Sequence, residues 1–232
     1  MLRKSLLGLA LLCGGLFGDA RPALAQQTFN VSLGYFSVRG EDARVDGDVL
    51  NANRSFLTFD VSEMSGASLG AEWLVPIGQY LEAGAGVAFT RRTIPTVYSN
   101  FVDNDGSEIE QDLRLRTVPA TFTFRVLPLG QQSGFQPYIG AGLGVINWRY
   151  SESGEFVDFR DRSIFRNSYV ASGTQTGPVA LGGVRFAGDT ASAGFEVRYQ
   201  SAHADLPAPF AGTTIDLGGW TYQVTLGVRF GR

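Results

Sequence analysis

The last stretch of the chain, residues 220–230, alternates strictly between apolar and polar positions. The apolar positions are Trp220, Tyr222, Val224, Leu226, Val228 and Phe230. Because successive side chains of a β-strand point to opposite faces, the pattern predicts a strand with one apolar and one polar face. In a soluble sandwich the apolar face points into the core, whereas in a membrane barrel it faces lipid. The alternation alone therefore leaves both folds open.

Seven earlier segments show the same two-residue period. They are 30–35, 68–75, 81–90, 118–126, 139–145, 178–186 and 193–200, of which 178–186 is the least regular. Glycine and charged residues recur on their polar faces, which suits the polar interior of a small barrel. The pattern predicts eight strands, or ten if Phe56 to Val61 and a partner also cross the membrane.

The connections between these segments alternate in length. The short ones contain Pro, Gly, Asp or Ser and lie at 76–79, 128–134 and 187–192. The long ones lie at 40–67, 92–112, 151–172 and 202–216. A sandwich gives no reason for such alternation. The sequence therefore predicts an all-β fold, a closed antiparallel transmembrane β-barrel with short periplasmic turns and long extracellular loops.

The long loops contain most of the acidic residues, which we expect to be solvated. The same loops contain large apolar residues that are unusual in solvated segments. These residues either extend the hairpins above the membrane and cap the barrel, or surround a hydrophobic entry for a solute. They are Phe56, Leu57, Phe59, Phe101, Phe156, Phe159, Phe165 and Phe210.

The first 25 residues have the features of a secretory signal peptide. Arg3 and Lys4 precede an apolar run from Leu6 to Phe17, and Ala23-Leu24-Ala25 forms a small-x-small cleavage site. The apolar run is shorter than the roughly 20 residues that a membrane-spanning helix needs. We therefore expect export, cleavage after residue 25, and a single barrel domain over residues 26–232.

Composition excludes several classes of function. After the signal peptide no stretch approaches 18 consecutive apolar residues, which excludes a helical membrane protein. A formal net charge of −3 without a basic stripe disfavours nucleic-acid binding. His203 is the only histidine and lies in a predicted loop, and no His/Cys cluster suggests a metal centre. We expect no cofactor and no enzymatic activity.

The segment Pro137-Tyr138-Ile139-Gly140-Ala141-Gly142-Leu143-Gly144, together with the terminal Val228-Arg229-Phe230, resembles the small bacterial outer-membrane barrel families. These include the transmembrane domain of outer membrane protein A and its eight-stranded relatives. The resemblance implies location in the bacterial outer membrane. It also implies that the barrel-insertion machinery recognises the last strand, through Tyr222, Val224, Leu226, Val228 and Phe230.

Charged residues on the polar faces are predicted to point into the barrel interior. Eight strands leave a bore that side chains can fill, and unpaired charges in such a space are costly. We therefore expect a salt-bridged plug, with a gated path for small solutes as the alternative. The residues are Glu72, Glu82, Arg125, Arg185, Glu196, Arg198 and Arg229.

Four arginines lie at the predicted external ends of their strands: Arg91, Arg92, Arg114 and Arg116. Three of them, all except Arg92, share the parity of the lipid-facing residues. A guanidinium group matches the geometry of phosphate, and the outer leaflet contains phosphorylated lipid headgroups. The pattern therefore suggests contact with outer-membrane lipid and lipopolysaccharide.

A weaker signal lies in the loop Asp103-Asn104-Asp105-Gly106-Ser107-Glu108. The oxygen-rich spacing of Asp103, Asp105 and Glu108 could suit a divalent cation, but the twelve-residue calcium-loop pattern is missing.

These features favour an integral outer-membrane barrel with a structural or surface-interaction role and an unknown extracellular partner. A narrow porin or transporter for small or apolar solutes is the alternative. A lipid-modifying enzyme is the least favoured, because Ser201-Ala202-His203-Ala204-Asp205 lacks a His-x-Ser pattern.

Overall fold

The computed structural model describes residues 26–231, so the predicted signal peptide lies outside the described residues. Eight long antiparallel strands form a closed ring, in which each strand pairs with its neighbours in sequence and the last pairs with the first. The predicted eight-stranded barrel is confirmed. The strands are β1 (Gln27–Val38), β2 (Gly66–Ile77), β3 (Leu81–Val102), β4 (Glu108–Val126), β5 (Gly134–Val157), β6 (Ile164–Ala187), β7 (Ala191–Gln200) and β8 (Gly219–Phe230).

The further strand considered at 56–61 does not join the ring. Only Leu57–Thr58 is a strand there, and it pairs with Tyr98 and Val97 at the edge of β3. The barrel therefore has eight strands and not ten.

In the described part of the chain, no helix combines the length and the apolar character needed to span a membrane.

One end of the barrel, the turn end, has the short connections 78–80, 127–133 and 188–190. The other end, the loop end, has the connections 39–65, 103–107, 158–163 and 201–218. Two predicted long loops are wrong in extent. Residues 92–112 are mostly strand, since β3 and β4 continue to the turn at 103–107, and residues 151–172 are mostly strand on either side of the turn at 158–163.

The outer surface of the turn-end half is an apolar belt. Its side chains are large and exposed, reaching 66% for Ile139. The inner face of the same half is buried and polar, so this half has the reverse of a soluble protein's pattern and suits a lipid environment. The belt includes Phe29, Val31, Leu33, Leu69, Trp73, Val87, Phe89, Phe122, Phe124, Ile139, Leu143, Phe186, Phe195, Tyr222, Val224, Leu226, Val228 and Phe230.

The pattern reverses within single strands towards the loop end. On β4 the outward positions change from Val118 to Arg116, and the inward positions become apolar at Leu115 and Leu113. On β5 the corresponding outward change occurs between Val145 and Asn147. The loop-end half is therefore built like a soluble barrel, with an apolar core and a polar surface. Because of this reversal, the lipid-facing alternation of the belt does not continue into these segments, and the sequence pattern therefore predicts them as loops.

The segments 39–65 and 201–218, together called the cap, close the loop end. The cap contains α1 (Val49–Asn53), short 3-10 turns at Glu41–Ala43 and Val61–Met64, and a two-stranded sheet of His203–Asp205 with Thr214–Asp216. Its apolar residues join the inward side chains of the strands in one buried core. This core includes Val49, Leu50, Leu57, Met64, Ile94, Tyr98, Ile109, Leu113, Trp148, Tyr150, Phe210 and Ile215.

The buried core settles one expectation about the loop residues. Leu57 and Phe210 are buried in it, and Phe56, Phe59 and Phe101 pack against it, so these residues do cap the barrel. Phe156 is also buried, but outside this core. The expectation that the loop acids are solvated is wrong for Asp48, Glu152 and Asp216, which are buried by the cap. The acidic residues of the predicted loops thus fall into two environments, the solvated surface and the buried interior of the cap.

Candidate functional site

The barrel interior contains a network of four charged side chains. Arg125 on β4 contacts the carboxylates of Glu72 on β2 and Glu196 on β7, the latter at 2.7 Å. Arg198 bridges the same two carboxylates, at 3.2 Å and 2.9 Å. Only 1% of Arg125 and none of Glu196 is exposed. Two positive and two negative charges therefore neutralise one another across the bore.

Neutral groups also contact this network. The Tyr138 hydroxyl donates to Glu196 at 3.1 Å, and the Gln223 amide donates to the same residue at 2.9 Å. Arg125 also lies over the Tyr138 ring, 4.8 Å from its centroid. The buried Glu196 carboxylate thus has hydrogen-bond or ion-pair partners on four strands. A stable buried ion network requires such partners.

A second ion pair lies nearer the turn end. Arg185 on β6 contacts Glu82 on β3 at 3.0 Å and donates to the Gln136 side chain at 2.7 Å. Leu127, Tyr138 and Leu181 form a small apolar cluster, in which the Tyr138 ring lies near both Arg125 and Arg185. Among the described residues, the cavity beside Glu72 and Arg198 has a volume of about 20 Å³, which is space for about one water molecule.

A buried ion lock joins the two segments of the cap. Asp48 accepts two hydrogen bonds from the Arg44 guanidinium, at 2.6 Å and 2.9 Å, and one from the Asp216 backbone at 2.7 Å. Asp216 in turn contacts Arg39 at 3.0 Å and accepts from the Gly218 backbone at 2.7 Å. The lock therefore joins residues that are about 170 positions apart in sequence.

An aromatic pocket of about 280 Å³ lies between the cap and the extended hairpins. Phe56, Tyr98 and Phe159 form one wall, with Phe56 5.8 Å from each of the other two rings. The opposite wall consists of Phe156, Phe165 and Tyr169, with Phe156 4.9 Å from Tyr169 and 5.8 Å from Phe165. The polar side chains Gln111 and Glu152 also line the pocket.

Glu152 is buried without a cation. Its Oε1 accepts hydrogen bonds from Asn53 at 2.6 Å and from the Tyr150 hydroxyl at 2.9 Å. Within residues 26–231 no salt bridge includes Glu152. Burial raises the pKa of Glu152 above its usual value, and the two hydrogen bonds offset only part of this rise. Burial likewise raises the pKa of Tyr150 well above its usual value.

Comparison with solved structures finds barrels of the same kind. The chain is similar to Ail, the attachment invasion locus protein of Yersinia pestis, with 12% identity, coverage of 89% of this chain and 99% of that one, and a TM-score of 0.46. It is also similar to Neisserial surface protein A, with 13% identity, coverage of 89% and 97%, and a TM-score of 0.44. The N-terminal β-barrel domain of Pseudomonas aeruginosa OprF matches with 10% identity, coverage of 88% and 97%, and a TM-score of 0.38.

These three neighbours are outer-membrane barrel proteins of the eight-stranded type that the sequence resembles. At such low identities they add nothing about the role of this chain. No family model and no curated protein matches the sequence.

The predicted interior residues are brought together with one exception. Glu72, Arg125, Glu196 and Arg198 form the central network, and Glu82 pairs with Arg185. Arg229 lies apart from both, at the turn end, where it donates to the Gly188 carbonyl at 2.5 Å.

The predicted lipid-contact arginines separate into two groups. Arg91 and Arg116 face outward directly opposite each other on β3 and β4, just beyond the apolar belt, and Arg149 on β5 lies opposite Arg116. Arg114 faces outward two positions further on and donates to Thr93 at 3.0 Å. Arg92 lies on the other face of β3 and donates to the Glu63 backbone of the cap at 2.8 Å. Arg92 is therefore a cap contact.

Arg149 was missed by the sequence interpretation. It lies between the predicted strand 139–145 and the predicted loop 151–172, and the structure places it on β5. The signal was available, because Arg149 continues the outward parity of Leu143 and Val145. We call Arg91, Arg116 and Arg149 the arginine row.

The predicted cation ligands are not brought together. The Asp103 and Asp105 carboxylates accept hydrogen bonds from backbone amides of their own turn, at Asn104 and Ser107. Over residues 26–231, no group of three His, Cys, Asp or Glu side chains is arranged to hold a metal ion.

The remaining predicted residues lie at the barrel surface. Tyr222, Val224, Leu226, Val228 and Phe230 face outward on β8, each between 42% and 63% exposed. His203 is exposed on the short cap strand.

Proposed function

We propose that the protein is an integral bacterial outer-membrane barrel that anchors and presents the folded cap at the cell surface, a structural or surface-interaction role. The observation that carries this proposal is the buried, charge-balanced ion network in the barrel interior, together with the packed cap at the loop end. The apolar belt supports placement in a membrane, since it would be a large exposed apolar surface in water. On this proposal the turn end faces the periplasm and the barrel-insertion machinery reads β8.

Conductance in a planar lipid bilayer tests the proposal against the porin alternative. The purified, refolded protein is expected to give no current steps above background, because the ion network fills the interior with paired side chains. Insertion is verified separately by the different gel mobilities of boiled and unboiled samples. A general porin in the same detergent is the positive control. Reproducible steps from inserted protein would overturn the closed-barrel proposal in favour of the narrow porin.

The arginine row supports a second proposed property, contact with lipopolysaccharide phosphates. Like charges placed directly opposite on neighbouring strands destabilise a sheet unless an anion neutralises them. Within the described residues no carboxylate forms a salt bridge with the row. The Arg116 Nε is also buried without a hydrogen-bond partner. A phosphate at the edge of the belt would supply both the charge and the acceptor.

Replacing Arg116 and Arg149 together by glutamine is expected to abolish stabilisation by lipopolysaccharide. In vesicles that contain this lipid, the variant should be about 2 kcal/mol less stable than the unchanged chain, the scale of one hydrogen bond to a charged group. In phosphatidylcholine alone the difference should vanish or reverse, since the row then repels itself. The measurement is urea unfolding in both vesicle types, with Arg160→Gln in an exposed turn as the matched control. Equal stability of the unchanged chain in both vesicles would contradict the proposal.

A further inference from the structure

The aromatic pocket contains a carboxylate that no positively charged residue of the described chain neutralises. Glu152 has only 5% of its surface exposed, yet its Oε2 has no hydrogen-bond partner within residues 26–231. A buried carboxylate without a cation is costly unless it binds a proton or a positive ligand. No residue that lines the pocket is basic.

A second polar group in the pocket also lacks a partner. Gln111 is 3% exposed and lines the pocket, and its Oε1 is buried with no hydrogen bond. Both unpartnered oxygens are acceptors, so the missing partner is a donor. Native proteins rarely leave a buried acceptor such as the Gln111 Oε1 unmatched, which makes it an indicator of a bound group.

The aromatic walls of the pocket favour one class of hydrogen-bond donor, a cation with an apolar body. The faces of aromatic rings attract cations and repel anions. A lone carboxylate with one amide does not provide the oxygen ligands that a divalent metal ion needs. An organic ammonium ion has N–H donors, a positive charge and an apolar body, which match the acceptors, the carboxylate and the rings respectively.

The size and position of the pocket suit a small ligand from outside. Its volume of about 280 Å³ lies just below the range of roughly 300–1,000 Å³ that is usual for ligand sites. Phe159 and Phe165 at its rim are 60% and 39% exposed, beyond the arginine row and away from the apolar belt. Large apolar side chains in such a place are consistent with a binding rim.

We propose that the aromatic pocket binds a small organic ammonium ion, with its charged end at Glu152 and Gln111 and its apolar body between the two aromatic walls. This property goes beyond the anchoring role and does not depend on the barrel's being closed.

The test uses 2-phenylethylammonium chloride, with 2-phenylethanol as a neutral probe of similar shape and 3-phenylpropionate as an anionic one. Each is titrated by calorimetry into the full barrel in a non-ionic detergent. The ammonium ion is expected to bind at least about tenfold more tightly than the alcohol, because a hydrogen bond to a charged group adds this much. No detectable binding of the ammonium ion, or equal binding of the alcohol, overturns the proposal.

Two variants assign the binding to the pocket. Glu152→Gln keeps the shape and the acceptor but removes the charge, so it should weaken the ammonium ion about tenfold or more and leave the alcohol unchanged. Glu110→Gln, an exposed neighbour of Gln111 on the outer face of β4, is the matched control and should bind normally. If Glu152→Gln proves unstable, Phe159→Ala at the rim replaces it. Phe159→Ala should weaken the binding of both the ammonium ion and the alcohol. Unchanged ammonium binding in Glu152→Gln, or in Phe159→Ala where that variant replaces it, overturns the assignment.

Discussion

Replacing Arg125 by methionine is expected to lower the free energy of unfolding by about 3–5 kcal/mol, the usual cost of removing one partner from a buried ion pair. Arg125 lies between Glu72 and Glu196, and its loss leaves Arg198 as the single cation for two buried carboxylates. The measurement is reversible urea unfolding in lipid vesicles, followed by tryptophan fluorescence. Arg160→Met, in the exposed turn at 158–163, is the control and should change stability by less than about 0.5 kcal/mol.

A second substitution distinguishes charge from packing. Adding Glu196→Gln to Arg125→Met leaves Glu72 and Arg198 as a balanced pair, and the glutamine can still contact Tyr138 and Gln223. The double variant should therefore be more stable than Arg125→Met alone, a coupling that a double-mutant cycle measures directly. Simple addition of the two losses would show that shape rather than charge balance governs this part of the interior.

The turn-end half of the fold could be predicted because one physical rule acts along every strand there. The residues of 220–230 face lipid or the interior by parity alone, and the same rule placed Glu72, Arg125, Glu196 and Arg198 in one lumen. Their partners could not be assigned, because parity gives the face of a side chain and not its height in the bore. Arg229 shares the parity of the network but lies at the end of β8, out of its reach.

The loop-end half could not be predicted by the same reasoning. There the apolar positions change to the inner face, so Leu113 and Leu115 alternate with Arg114 and Arg116 in the sense of a soluble protein. This reversed alternation is the sequence signal that β4 continues beyond the apolar belt. The acid Glu152 looked like a solvated loop residue for the same reason, although its parity with Trp148 and Tyr150 places it inside.

The contacts of the cap depend on residues that are distant in sequence. Nothing near Asp48 indicates that its carboxylate meets the backbone of Asp216, because the two are joined only when the barrel closes β8 against β1. The short spacing of Arg44 and Asp48, four positions apart, was a local signal for the ion pair but not for its burial. The cap is thus specified by ring closure as much as by its own sequence.

Asp48→Asn is expected to open the cap without unfolding the barrel. The substitution leaves the buried Arg44 guanidinium without its charge partner, which costs about 3–5 kcal/mol in such pairs. Because 1.4 kcal/mol corresponds to a tenfold change, amide hydrogen exchange in 41–64 and 203–216 should become at least about a hundredfold faster. Hydrogen exchange of the bilayer-embedded protein, read by mass spectrometry, measures each segment separately.

Asp46→Asn is the matched control, since Asp46 is exposed two positions away and is outside the ion lock. It should leave exchange in both cap segments unchanged. In Asp48→Asn the strands beneath the apolar belt should stay protected, because their backbone hydrogen bonds belong to the ring and not to the cap. Faster exchange spread evenly over the barrel would show that cap and barrel unfold as one unit. An unchanged cap would show that its apolar core, and not the ion lock, holds the two segments together.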